Sequence, residues 1–231
     1  MKNFAIIVAG GSGTRLGNEK PKQFLEVNGK PLLMYSVEKF DKHPQIAGII
    51  LVINNQYITE VKQYLLRFNT QKVIDVIPGG ETRQQSVFNG LKKVKEIADE
   101  NDSVLIHDAA RPLVSEKTIS DNISAVKKYL SVDTVIPCSD TIIKSTDGKQ
   151  IDNVPNRKEL YQGQTPQTFK FSLIYKAHLN AIEKGVIDVS DDVSLITMLG
   201  EKTYLVFGDP LNFKVTTPHD LTIFQSLLNN K

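Results

Sequence analysis

Two cations near the start of the chain, Arg15 and Lys22, stand in and just after a run of glycines. The stretch reads Gly10-Gly11-Ser12-Gly13-Thr14-Arg15-Leu16-Gly17, then Lys20-Pro21-Lys22-Gln23-Phe24. Four glycines in those first eight positions strip the side chains from a turn, permit positive φ and let backbone N–H groups approach a ligand closely. N–H dipoles arrayed at the end of a strand bind anions, and the two cations add fixed positive charge. The chemistry on offer is the gripping of a triphosphate. Two common motifs do not fit. A Walker loop needs a lysine followed by Ser or Thr, which does not come after Gly17. A dinucleotide fingerprint needs a third glycine where Leu16 stands. An ordinary glycine-rich turn could use the same glycines, but the neighbouring charges favour the anion site.

Three further segments carry candidate chemistry. His107-Asp108-Ala109-Ala110-Arg111-Pro112 places a carboxylate where it could hold magnesium, an ion bound by one or two carboxylates plus phosphate oxygens. The alternative is a carboxylate that caps a turn or pairs with Arg111, but the sheet edge it shares with the glycine loop favours the metal. His107 reads as a packed strand-end residue rather than a base. Gly79-Gly80-Glu81-Thr82-Arg83 is either a plain helix entry or a nucleotide site, in which backbone near Gly80 and the Ser86 hydroxyl read a base edge. Lys214, between Phe213 and Val215, either meets a buried partner or snorkels to solvent.

These residues need a frame, and the apolar runs supply one. Phe4 to Ala9, Gly48 to Ile53, Val73 to Ile77, Ser103 to His107 and Val132 to Pro137 are short and β-branched, as buried strands are. Between them lie helical spacings: Pro31 to about His43-Pro44, Tyr57 to Phe68, Thr82 to Ile97, and Ser115 to Tyr129 with its N-cap near Ser115 or Glu116. The alternation predicts a three-layer α/β fold with a mainly parallel sheet. Ligands in such sheets bind outside the carboxyl ends of the strands, the edge that collects the segments above. Farther on, helices are expected at Ser172 to Lys184, Asp191 to Leu199 and Asp220 to Leu228, with a strand at Thr203 to Phe207.

The alternation breaks between Ser139 and Gln167. Thr141 to Lys144 and Ile151 to Val154, around Asp147-Gly148, read as a hairpin with an Asp-Gly turn. Pro155 to Gln167 reads as a polar stretch too long for a plain connection. Together they predict an arm projecting from a single domain that spans residues 1–231.

Bulk properties narrow the function. The chain has 231 residues, 40% hydrophobic and 23% charged, with a formal charge of +2. That balance gives no reason to expect nucleic acid or an anionic membrane as partner. One cysteine, Cys138, excludes an internal disulfide and a cysteine-rich zinc site; its apolar surroundings predict a buried thiol. No signal-peptide pattern and no run near the ~18 apolar residues of a membrane span is visible, so the expected location is the cytoplasm.

The ordered set A-G-G-S-G-T-R-L-G, K-P-K-Q-F, G-G-E-T-R-Q-Q-S-V, H-D-A-A-R-P, Q-T-P-Q and F-K-V-T-T-P-H-D-L covers nearly the whole chain. It resembles the CTP-dependent cytidylyltransferases that act on sugar-alcohol phosphates. The glycine loop alone is shared with many nucleotidyltransferases; the full set is specific. The resemblance implies a Rossmann-like nucleotidyltransferase fold, a magnesium cofactor, and a homodimer joined through a protruding β-arm at about 139–167. It implies that Arg15, Lys22, Arg157 and Lys214 carry catalysis, with Arg157 reaching in from the partner's arm. CTP would lie against Ala9, Gly10, Gly11, Gly13, Gly80, Glu81, Arg83, Ser86, Asp108 and Ala109, with Asp108 as the metal ligand. The polyol phosphate would meet Arg111, Asp140, Thr141, Arg157, Thr165 and Lys214. Within the family, H-D-A-A-R-P, S-D-D-V-S-L and G-G-E-T-R-Q-Q-S-V resemble the methylerythritol 4-phosphate branch, which is the preferred expectation. V-D-T-V-I, N-V-P-N-R and Y-Q-G-Q-T-P-Q resemble the ribitol 5-phosphate branch. A nucleotide-binding module without turnover is a third possibility, disfavoured by the full charge set.

Overall fold

The computed structural model describes residues 1–10 and 21–229. Strand β1 (Asn3–Ala9) leads, after the undescribed stretch, to a one-turn 3-10 helix over Lys22–Phe24 and a small ribbon, β2 (Glu26–Val27) and β3 (Lys30–Pro31). Then follow α1 (Leu32–Lys42), β4 (Gly48–Ile53), α2 (Ile58–Arg67), β5 (Val73–Pro78), α3 (Arg83–Lys95), β6 (Ser103–Asp108), α4 (Glu116–Tyr129) and β7 (Ser131–Pro137). The chain ends with β8 (Tyr161–Lys170), α5 (Phe171–Glu183), α6 (Val193–Met198), β9 (Tyr204–Phe207) and α7 (Pro218–Asn229). Ser115 caps α4 as expected, its side chain accepting from the Thr118 N–H.

Seven strands form one sheet in the order β5-β4-β1-β6-β8-β7-β9. Alternate residues of the buried strands face opposite layers. Ala5, Ile7, Ile49, Leu51 and Leu105 pack with Met34, Val37 and Phe40 of α1, Val61 of α2, and Ile119 and Ile123 of α4. Phe4, Ile6, Ile50, Val104 and Ile106 pack with Val87 and Leu91 of α3, Ile174 of α5, and Leu195 of α6. The expected three layers are therefore present. Val215 of the segment before α7 and Phe224 of α7 close a smaller cluster with Val27 and Leu32.

The segment after the fifth strand differs from expectation. Residues 161–167, read above as loop, belong to β8, which runs antiparallel to both β6 and β7. Every other strand of the sheet runs one way. β8 is legible as a strand only through its partners. Its buried positions include Gln164, Thr165, Gln167 and Thr168, which are satisfied by hydrogen bonds rather than by apolar packing. The predicted hairpin reduces to a single bridge, Lys144↔Asn153, around the Asp147-Gly148 turn, where Gly148 has φ +70°. Cys138 is half-buried rather than buried, because it leaves the sheet where the arm begins.

Candidate active site

Asp108 ends β6 on the face that also carries Val104 and Ile106, pointing toward the layer of α3, α5 and α6. Its Oδ2 lies 2.7 Å from Lys214 Nζ and its Oδ1 accepts from Arg83 Nε at 3.3 Å. Burial alone would raise this carboxyl; Arg83, Lys214 and Arg111 outweigh it and hold the group well below the usual carboxylate range. Asp108 is thus an anion throughout the physiological range. Lys214, whose side chain is 41% exposed, reaches its partner from the solvent side, which resolves the two readings of this residue. Arg83, at the first position of α3, also donates from Nη1 to Asp192 Oδ2 at 2.7 Å. Burial opposes its charge, but Asp192 and Asp108 raise its pKa further.

A bulge sets the floor beside Asp108. The β7–β8 register jumps from Asp133↔Gln167 to Val135↔Gly163, so three residues of β8 oppose Thr134 alone. In this bulge the Thr165 hydroxyl accepts from the Asp108 N–H at 3.1 Å and donates to His107 Nδ1 at 3.0 Å. His107 Nε2 then donates to the Arg111 carbonyl at 3.1 Å. Those partners make the imidazole neutral, and full burial lowers its pKa to about 4. Packed against Phe40, with ring centroids 4.9 Å apart, His107 is a structural residue as expected. Arg111 donates from Nη1 to the Asn212 carbonyl at 2.9 Å and from Nη2 to the Gly163 carbonyl at 3.2 Å. It ties β8 to the loop before Lys214. Its buried Nε has no partner among the described residues.

The glycine segments meet at Ser86 in α3. Its Oγ donates to the Thr82 carbonyl and accepts from the Gly80 N–H. A Cβ on Gly79 would fall 2.9 Å from this oxygen and one on Gly10 3.3 Å from it, so bare backbone lets both segments close on the hydroxyl. Glu81 is exposed, and its N–H donates to Gln85 Oε1. Ala9 gives its carbonyl to Gln23 at 2.6 Å. Ala109 is buried, accepting from Ser36 Oγ and donating to the Val8 carbonyl. Lys22 is half-buried in the 3-10 turn. Gly11, Gly13 and Arg15 lie outside the described residues.

Asp140, Thr141 and Arg157 are exposed on the arm. Arg157 Nη1 donates to the Ser139 carbonyl, and no hydrogen bond or ion pair among the described residues joins these three to the Asp108 cluster. The same molecule therefore brings Asp108, Arg83, Lys214, Arg111 and Thr165 together and leaves the arm residues apart.

The family model for 2-C-methyl-D-erythritol 4-phosphate cytidylyltransferase, IspD, matches residues 3–230. The chain belongs to the IspD family. A ribitol-5-phosphate cytidylyltransferase of Vibrio parahaemolyticus is 40% identical to this IspD-family chain over 99% of its length and 97% of the relative's. A 2-C-methyl-D-erythritol 4-phosphate cytidylyltransferase of Clostridium novyi is 39% identical, covering 99% and 97%. A crystal structure of 4-diphosphocytidyl-2C-methyl-D-erythritol synthase from Anaerococcus prevotii superimposes with a TM-score of 0.84 at 31% identity, over 99% of this chain and 96% of that one. The chain is accordingly an enzyme, a cytidylyltransferase.

In this IspD-family site, two carboxylates matter that the residue-by-residue reading passed over. Asp192, fully buried before α6, anchors Arg83, and its own N–H donates to Gln167 Oε1 at 3.0 Å. Its only sequence signal was the S-D-D-V-S-L run. Asp133 of β7 accepts from Gln167 Nε2 at 3.0 Å, so one line of contacts runs Asp133, Gln167, Asp192, Arg83, Asp108, Lys214. A charged residue inside an apolar strand was the signal for Asp133.

Proposed function

We propose that this protein transfers CMP from CTP to a polyol phosphate and releases pyrophosphate. The observation that carries the reading is the ionised Asp108, held between Arg83 and Lys214 at the carboxyl edge of the sheet, the edge at which the Gly10 and Gly79 segments close on Ser86. A phosphate oxygen of the polyol phosphate attacks the α-phosphorus of CTP. The new P–O bond forms as the bond to the β-phosphate oxygen breaks, and pyrophosphate leaves with the electron pair. The attacking oxygen is already ionised, so no base is required, and neutral His107, with both ring nitrogens bonded, offers none. Catalysis then rests on positioning and on positive charge from Arg15, Lys22 and Lys214.

Among the described residues no three His, Cys, Asp or Glu side chains gather as a metal site. A lone carboxylate fits magnesium in the mode where phosphate oxygens supply most ligands. Asp108 would hold the ion there once Lys214 turned toward the phosphates. Bound, magnesium would draw negative charge off the triphosphate.

The arm supports a homodimer. Ile143, Ile151 and Val154 are 53%, 64% and 52% exposed, and a polar arm carrying bare apolar groups needs a surface to lie on. A second copy would supply it and bring Arg157 to a site. The location proposed is the cytoplasm; among the described residues no helix is long and apolar enough to cross a membrane. The motifs around Asp108 favour methylerythritol 4-phosphate as the acceptor, but the surroundings of Asp133 favour ribitol 5-phosphate, and ribitol 5-phosphate is the acceptor proposed. Pyrophosphate release, measured with CTP, magnesium and each acceptor in turn, tests the function. Release with neither acceptor would overturn it.

A further inference from the structure

Two of the three motifs that resemble the ribitol branch, V-D-T-V-I and Y-Q-G-Q-T-P-Q, are separate in sequence but meet in the sheet. Asp133 comes from the first and Gly163 from the second. A Cβ built on Gly163 would have Asp133 Oδ2 as its nearest neighbour, at 3.8 Å. Gly163 is exposed and Asp133 half-buried, so no side chain at position 163 stands over this oxygen. Asp133 Oδ1 is fixed by Gln167, whereas Oδ2 has no hydrogen-bond partner among the described residues. The same patch is bounded by Arg111, whose Nη2 holds the Gly163 carbonyl. Asp108 and Lys214 lie along the contact line that starts at Asp133.

We propose that Asp133 Oδ2, exposed across the bare backbone of Gly163, accepts a hydrogen bond from a hydroxyl of the polyol chain and selects ribitol 5-phosphate over methylerythritol 4-phosphate. This rests on the cytidylyltransferase reading above. The chemistry favours the longer acceptor. Ribitol 5-phosphate carries one more free hydroxyl and no methyl branch, so its far end can donate to a carboxylate. A methyl group in the same place would strip water from that carboxylate and return nothing. Burial raises the Asp133 carboxyl to about 6, with Gln167 and Arg111 opposing the shift and Asp191 and Asp192 adding to it. A donor on its free oxygen would relieve that loss of water. The site would thus discriminate by a hydroxyl it must satisfy, which separates substrates better than an apolar pocket does.

The test compares kcat and KM for both acceptors in wild-type enzyme, Asp133→Asn and Gly163→Ala. Asp133→Asn preserves the bond from Gln167. Gly163→Ala leaves the carboxylate untouched and meets nothing closer than 3.8 Å, so folding is not at issue. Wild type should favour ribitol 5-phosphate, and each variant should raise its KM by about 10- to 100-fold, as loss of a bond to a charged group does. The KM for CTP should stay level. Ribitol 5-phosphates lacking single hydroxyls complete the test: one analogue should cost wild type the same factor and cost Asp133→Asn nothing more. Turnover of neither acceptor by wild type would refute the cytidylyltransferase reading itself. Turnover with a preference for methylerythritol 4-phosphate, or variants with unchanged ribitol KM, or no analogue that behaves as described, would overturn the role of Asp133 alone.

Discussion

Asp192→Asn is the sharpest probe of how the site is held. The substitution keeps the shape of a fully buried side chain and removes its charge. Arg83, only 23% exposed, would lose its 2.7 Å partner and keep Asp108 at 3.3 Å. Breaking a buried pair by neutralising one member costs about 3–5 kcal/mol. The surviving acceptor reduces that here to about 2–3 kcal/mol, equivalent to a drop in Tm of about 4–12 °C for a domain of this size. The pH dependence separates charge from shape. Burial would raise the Asp192 carboxyl, but Arg83 and His178 lower it below its ordinary 3.8. A depressed folded pKa contributes stability that is complete above the unfolded value and is lost as pH falls through the folded one. Urea unfolding of both proteins should therefore show a constant gap from pH 8 to about pH 5 that closes toward acid. A gap under about 0.5 kcal/mol, within the range of ordinary surface changes, or one that widens on acidification, would refute the ion-pair account.

Thr165→Val should cost about 1–3 kcal/mol in urea, because the buried Asp108 N–H and His107 Nδ1 both lose their partner; an unmoved midpoint would show that the bulge is held otherwise. Asp133→Asn should stabilise at pH 8 by about 1–3 kcal/mol. Its raised pKa means the folded state resists ionisation, so the penalty it removes is complete above about pH 6 and absent below about pH 4. Equal stability of variant and wild type at both pH values would contradict it. Lys22→Ala should lower kcat by about 100-fold or more if Lys22 meets charge growing on pyrophosphate. Mixing Lys22→Ala with Arg157→Ala chains, each inactive alone, should restore activity in heterodimers. Confirmed heterodimers without activity would place Arg157 in its own subunit's site or in none.

Most of the frame was legible because its signal is apolar. Val104, Leu105 and Ile106 could hardly be anything but a buried strand, and Val87, Leu91 and Val94 mark one side of a helix. β8 gave no such signal. A strand at the floor of a cleft carries Gln164, Thr165 and Gln167 for their hydrogen bonds, and Pro166 within it argues against a central strand. The bulge opposite Thr134 accommodates that proline. Asp108 and Lys214 were legible singly, from their places at a strand end and between apolar neighbours. Their pairing was not, since it depends on α7's approach segment returning to β6, where the Val215 N–H bonds the Ala110 carbonyl. Asp192 and Asp133 were missed for the same reason: a carboxylate's worth is set by what tertiary structure puts beside it.

The placement of β8 also dictates the order in which the molecule can be assembled. β6 and β7 run the same way and are not neighbours; the chain must leave at Pro137, traverse the arm and return before the slot between them is filled. A nascent chain that ends in the arm therefore shows two open strand edges, one on each side of a gap one strand wide, and such edges invite pairing with other chains. Once β8 enters, both edges vanish in a single event. The same insertion brings Thr165 under Asp108 and Gly163 over Asp133, so the last strand to close the centre of the sheet is the one that completes the cleft.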